Sequence, residues 1–87
     1  MTDRPITVLV PLINPNEPES LLAELSVSEG VMVRKGQVLA SFETTKSTFE
    51  LTAEQDGYVR GLRFKAGDTI KAGERLCYLT NTAVEKL

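Results

Sequence analysis

Two stretches of this chain repeat one another. LLAELSVSEGVMVRKGQVLASF (21–42) aligns without a gap on YVRGLRFKAGDTIKAGERLCYL (58–79) at a constant offset of 37. Leu25 falls on Leu62, Val27 on Phe64, Gly30 on Gly67, Val33 on Ile70, Gly36 on Gly73 and Leu39 on Leu76. The matched positions are glycines and large apolar residues, while the polar positions between them differ freely. That is what survives when two copies share their turns and their buried positions. The repeat predicts two similar halves related by a pseudo-two-fold axis.

Each copy has the same physical reading. Val27 or Phe64 precedes three residues ending in glycine (SEG, KAG), a turn in which positive φ carries no steric cost. Three residues on, Val33 or Ile70 points back into a core. A second glycine turn follows, then an alternating strand, QVLASFE or ERLCYLT. Short strands with turn signals this frequent predict an all-β sandwich or barrel. SLLAEL (20–25) has the apolar spacing of one helical turn, but it is too short to stand as a helix and the β-rich context outweighs it. All four prolines lie in the first 18 residues, so PLINPNEPES (11–20) reads as an exposed loop.

The 87 residues make one domain, expected over 1–80, with 81–87 an exposed tail or the start of a linker. Hydrophobic content of 41% and charged content of 25% are those of a globular protein, expected to be monomeric by itself. A net charge of −2 with interleaved signs and 6% aromatic residues argues against nucleic-acid binding. No apolar run approaches the ~20 residues of a membrane span, and no signal-peptide cleavage pattern follows the N-terminus. Cys77 is the only cysteine, so no internal disulfide forms, and a cytoplasmic location is the simplest expectation.

Histidine is absent, which removes Ser-His and Cys-His nucleophiles and leaves zinc binding without its usual ligands. The reading leans from catalysis towards carrying or binding. Glu50, Glu54 and Asp56 read as solubility and edge protection rather than metal ligands. Arg34, Lys35, Arg60, Arg63 and Lys65 read as a solvated face, Met32 as packing, and Cys77 as a small buried hydrophobe.

Between the copies lies ETTKSTFELTAEQDG (43–57). Alternation puts Val38, Ala40 and Phe42 on one strand face, and Phe49, Leu51 and Ala53 on one face of the next. Thr45, Lys46 and Ser47 are then the tip of a hairpin. Without Gly or Asn the tip does not suit a primed two-residue turn, and a type I turn is favoured. By residue type an exposed lysine is an ordinary solubilising charge. Lys46 is set apart by its place at the one irregular point joining two repeated halves, with its amine held out on a flexible stem.

Gly30, the run GQVLASFETTKSTFEL (36–51) and Gly57 ahead of the second copy together resemble a biotinyl/lipoyl attachment domain, over roughly residues 7–80. The resemblance implies a flattened barrel, or sandwich, of two four-stranded antiparallel sheets with quasi-two-fold symmetry and a modified lysine at a hairpin tip. Glu43-Thr44-Thr45-Lys46-Ser47 is similar to the Glu-Thr-Asp-Lys-Ala of lipoyl domains and lacks both methionines of the biotinyl type. It implies lipoate in amide linkage on Lys46, with Glu43, Thr44, Thr45 and Ser47 as the context of the attachment site. By the same resemblance, Gly30 and Gly57 help present the lysine to a lipoylating enzyme.

The resemblance implies a carrier and not an enzyme. Its swinging arm shuttles acyl groups or redox equivalents between active sites in a multienzyme complex, such as one with a 2-oxo acid dehydrogenase acyltransferase component. Two departures from the family pattern imply a changed partner, or none. Thr45 replaces the usual aspartate, and the 10–20 loop is longer and more acidic than the family's short glycine-bearing segment. Two other readings stay open at this level: an unmodified interaction module of the same fold without cofactor, and a biotin carrier.

Overall fold

A computed structural model of the protein describes residues 5–81. The described residues form eight strands: β1 (Ile6–Leu9), β2 (Glu19–Leu25), β3 (Met32–Val33), β4 (Val38–Glu43), β5 (Thr48–Thr52), β6 (Gly57–Arg60), β7 (Thr69–Lys71) and β8 (Arg75–Thr80). They build two four-stranded antiparallel sheets, ordered β1-β8-β6-β3 and β5-β4-β2-β7. SLLAEL falls within β2 and is extended, as the context predicted. Of the expected tail, residues 82–87 lie outside the described residues.

The offset of 37 carries β2 onto β6, β3 onto β7 and β4 onto β8, and the sheet β5-β4-β2-β7 then reads as β1-β8-β6-β3. Each copy contributes its short third strand to the other copy's sheet: β3 pairs with β6, and β7 pairs with β2. The backbone bonds repeat as well. Gly30 N–H donates to the Val59 carbonyl at 2.6 Å, and Gly67 N–H to the Leu22 carbonyl at 2.8 Å. Every one of these bonds joins one copy to the other, so neither half can close its core alone.

That core is made of matched residues. Leu22, Val33, Leu39 and Phe42 from the first copy meet Val59, Ile70, Leu76 and Leu79 from the second, all essentially fully buried. The ladders slip at three places, one of them between Leu22 and Glu24 in β2, and the other two are equivalent between the copies. Pairing steps from Val38↔Thr52 to Ala40↔Leu51, and from Val8↔Cys77 to Leu9↔Arg75, leaving Leu39 and Leu76 as bulge residues. A bulge turns two successive side chains inward, so Leu39 is buried beside Ala40, and Leu76 beside Cys77. On β5 the expected face tilts outward along the strand: Ala53 is buried, Leu51 half-buried and Phe49 exposed.

Three further expectations change. Met32 sits on the edge strand β3 with its side chain exposed rather than packed. Arg60 is half-buried and paired with Glu29 at 3.1 Å, so it is more than a solvated charge. Asp56 accepts a hydrogen bond from the Lys35 N–H at 2.8 Å, which makes it a satisfier of a turn amide.

Candidate functional site: the lysine hairpin

The β4–β5 ladder closes at Glu43↔Thr48 and leaves residues 44–47 as the loop. Thr44 builds this loop. Its N–H donates to the Ser47 carbonyl at 2.9 Å, and its Oγ1 accepts from Ser47 N–H at 3.2 Å and from Lys46 N–H at 3.4 Å. The hydroxyl also lies 3.3 Å from the Ser47 carbonyl oxygen. A threonine hydroxyl thus binds the backbone amides that a tight turn would otherwise leave to water. No described non-glycine residue has positive φ, so the tip is not a primed turn. Lys46 stands exposed at this tip, and its amine makes no hydrogen bond or ion pair among the described residues.

Glu43, Thr44, Thr45 and Ser47 flank Lys46 on the hairpin. Gly30 and Gly57 lie elsewhere. Gly57 opens β6 opposite Val33, in the sheet that does not contain the hairpin, and Gly30 occupies the turn bonded to Val59. A Cβ at Gly57 would stand 3.1 Å from Leu79 Cβ and 3.2 Å from the Thr80 carbonyl oxygen, so the absent side chain is what lets β6 lie close on β8.

Sequence reasoning missed two residues of the site, Asn14 and Glu17. The strap between β1 and β2, residues 10–18, is held by Asn14, which is buried. Its Oδ1 accepts from Asn16 N–H at 3.0 Å, its carbonyl accepts from Glu17 N–H at 2.9 Å, and its Nδ2 donates to Glu17 Oε2 at 2.9 Å. Glu17 is thereby aimed at the hairpin. Its carboxylate accepts the Thr45 hydroxyl on Oε2 and the Thr45 N–H on Oε1 at 3.3 Å. The Thr45 hydroxyl bond holds the Glu17 carboxyl below its ordinary range, with lesser help from the Thr45 amide, Asn14 and the Lys46 charge, against some desolvation. The Asn-Pro-Asn-Glu run is a legible turn signal. Its target, 28 residues away, is set only by the fold.

Strap and hairpin border an open groove of about 600 Å³, whose walls include Glu17, Pro18, Leu21, Thr45 and Lys71. Reactive groups are scarce beyond it. Burial, joined by the charge of Glu29, pushes the Cys77 thiol up to about 11, so it stays protonated at neutral pH and is no nucleophile. Among the described residues no cluster of three or more Cys, Asp or Glu is placed to hold a metal ion. Among them, too, no helix is long and apolar enough to cross a membrane.

This arrangement is a rigid two-sheet mount with a single amine at one hairpin tip, and comparison with known proteins places it. The family model described as "Biotin-requiring enzyme", the biotinyl/lipoyl family, matches residues 6–79, and the chain belongs to that family. Within the family it is of the lipoyl type, a small carrier domain that is not itself a catalyst. A solved lipoyl domain, from the 2-oxoglutarate dehydrogenase complex of Azotobacter vinelandii, superposes with a TM-score of 0.75 at 27% identity, over 88% of this chain and 98% of that one.

Among curated relatives, the dihydrolipoyllysine-residue acetyltransferase component of the pyruvate dehydrogenase complex of Rhizobium meliloti is 38% identical over 63 residues, 72% of this chain and 14% of that protein. The dihydrolipoyllysine-residue succinyltransferase component of the 2-oxoglutarate dehydrogenase complex of Bacillus subtilis is 31% identical over 78 residues, 90% of this chain and 19% of that protein. The match therefore spans less than a fifth of the length of either relative.

Proposed function

We propose that Lys46 is the attachment site, that lipoate is joined to it in amide linkage, and that the chain is a single carrier module serving a cytoplasmic multienzyme complex of the 2-oxo acid dehydrogenase kind. The observation carrying this reading is the exposed amine, bound by no hydrogen bond or ion pair among the described residues, at a hairpin tip closed by Thr44. The neighbours Thr45 and Ser47 are small and polar, which leaves room for an acyl chain on the amine. Neither is the methionine that flanks a biotinyl lysine.

Attachment needs an activated acyl donor. With a lipoyl-adenylate from a lipoylating enzyme, the Lys46 nitrogen forms the new C–N bond, AMP leaves, and the ammonium gives up two protons. Bound lipoate supplies a reversible disulfide that takes up acyl groups and electrons. The protein supplies the mount, and tethering keeps the reactive group at high effective concentration near its partners. Glu43, Thr44, Thr45 and Ser47 form the surface a modifying enzyme meets first. Gly30 and Gly57 act at a distance, by fixing the sheet that backs the hairpin.

The test is intact mass after incubation with lipoate ligase, lipoate and ATP, run in parallel with biotin ligase and biotin. A lipoyl increment that disappears in Lys46→Ala is expected. No increment, with ligases proven active on another acceptor, overturns the reading, and a biotin increment replaces it with biotin carriage.

A further inference from the structure

The tip of this hairpin has no acid next to its lysine in the chain, because position 45 is threonine. It nevertheless has one in space. Glu17 arrives from the strap, and both polar groups of Thr45, hydroxyl and N–H, point at its carboxylate. The delivery is built rather than incidental. Asn14 is buried, and spends its side-chain amide on Glu17, its side-chain oxygen on the turn at Asn16, and its carbonyl on the Glu17 N–H. An aspartate at 45 would set two carboxylates against each other at this contact. Thr45 and Glu17 are therefore matched: a donor in the tip for an acid in the strap.

We propose that Glu17 is a positioning and specificity residue of the lysine tip. Latched to Thr45, its carboxylate holds the tip in one orientation and supplies the negative charge beside Lys46 that a partner enzyme reads with a cationic contact. This rests on Lys46 being the modified residue. It assigns the acid of the site to a segment 28 residues away from Thr45. The exposed carboxylates of Glu19, from the strap side, and Glu43, from the hairpin, border the same groove and give it the sign a basic partner surface needs. Lys71 is the one cation among the groove's lining residues.

Two measurements test the proposal. The first uses the unmodified chain and NMR. The Thr45 amide should follow the titration of the Glu17 carboxyl and should shift and exchange faster in Glu17→Ala, whereas Glu17→Gln, which still offers an acceptor oxygen, should keep most of its protection. The second follows the rate of lipoyl mass gain with lipoate ligase, lipoate and ATP. Glu17→Ala and Thr45→Val should each slow it by about threefold to tenfold, the range of one hydrogen bond, and the double variant should be no slower than the worse single. Glu17→Gln should also be slower than wild type and should lose part of the salt dependence of the rate.

The decisive pair moves the acid. Thr45→Asp alone, with two facing carboxylates, should be slow, and adding Glu17→Gln should restore much of the rate, because one acid then again faces one neutral partner. An unchanged Thr45 amide in Glu17→Ala overturns the latch. A Glu17→Gln rate and salt dependence equal to wild type, or single effects that simply multiply, overturn the charge reading. A wild-type chain that gains no lipoyl mass instead overturns the attachment at Lys46, while the NMR measurement still decides the latch.

Discussion

The pseudo-two-fold axis pairs the β1–β2 strap with the β5–β6 turn, and the two solve one problem differently. Their first residues are equivalent. Val10 and Ala53 are both buried; Val10 N–H donates to Glu74 and Ala53 N–H to Gln37, and their carbonyls accept from Gly73 and Gly36. Beyond that point one connection runs nine residues, 10–18, and the other four, 53–56. The Ala72 N–H is taken by the Pro18 carbonyl on the long side, while its counterpart at Lys35 is taken by the Asp56 side chain on the short side. Four residues are therefore enough to join the strands and satisfy the turn. The additional length goes to Asn14, Asn16 and Glu17, and ends on Thr45.

The same axis maps the β4–β5 pair, joined by the lysine hairpin, onto the β8–β1 pair, whose strands are not consecutive in the chain. The proposed attachment site lies where the two halves differ. Wherever they match, burial and turn geometry repeat to within a few tenths of an ångström in hydrogen-bond length: Gly30 to Val59 at 2.6 Å against Gly67 to Leu22 at 2.8 Å, for example.

The comparison can be broken most forcefully in the core. Phe42→Ala and Leu79→Ala empty equivalent sites, and we expect losses of about 3–5 and 2–5 kcal/mol in urea unfolding. A loss at only one of them would mean that the halves do not share a single core. Next come the glycines. Gly57→Ala should cost about 1–3 kcal/mol through crowding against Leu79 and Thr80, while its counterpart Ser20, which already carries a Cβ, should tolerate alanine better. Gly36→Ala and Gly73→Ala should each cost about 1–2 kcal/mol. They should agree closely, since both have φ near +90° and open space around the missing side chain.

A smaller effect on stability is expected from exchanging the strap for its counterpart while keeping the buried Val10, replacing residues 11–18 with Glu-Gln-Asp. Shortening a surface loop changes closure entropy by about 1 kcal/mol or less. The thermal midpoint should therefore move little, while the Thr45 amide loses its protection. Unfolding of the exchanged chain would show that the strap also carries fold stability. The smallest effect is in pH. Glu17 and Glu29 have carboxyls lowered in the folded state, Glu29 chiefly by the Leu62 N–H and then the Gly61 N–H and Arg60. Their contribution is complete above the ordinary carboxylate value of 4.5 and is lost as pH falls through the lowered one. Unfolding followed between neutral and acid pH should show this loss, and Glu17→Gln should remove the Glu17 part of it.

Much of this was legible in the residues themselves. Matched glycines and apolar residues at one offset set the number of halves, the turns and most of the buried positions, because burial and positive φ are demands that few residue types meet. They also isolated Lys46, as the lysine at the junction. Strict alternation misplaced Leu39, since a bulge is a compromise between pairing and burial that appears only when the neighbouring strand is in place. Met32 looked like core because its type is apolar, yet β3 is an edge and leaves it outside.

What the chain determined alone was periodic and local. Asn14 makes its turn within three residues, and Thr44 closes the lysine loop within three. What only the tertiary structure decided was contact at long range: that β3 and β7 cross into the opposite sheets, that Gly57 must lie bare against β8, and that Glu17 meets Thr45. Local rules constrain backbone angles and which face a side chain takes. They carry no information about which distant polar group will satisfy a carboxylate, because that depends on the packing of two sheets that exist only once both halves have folded together.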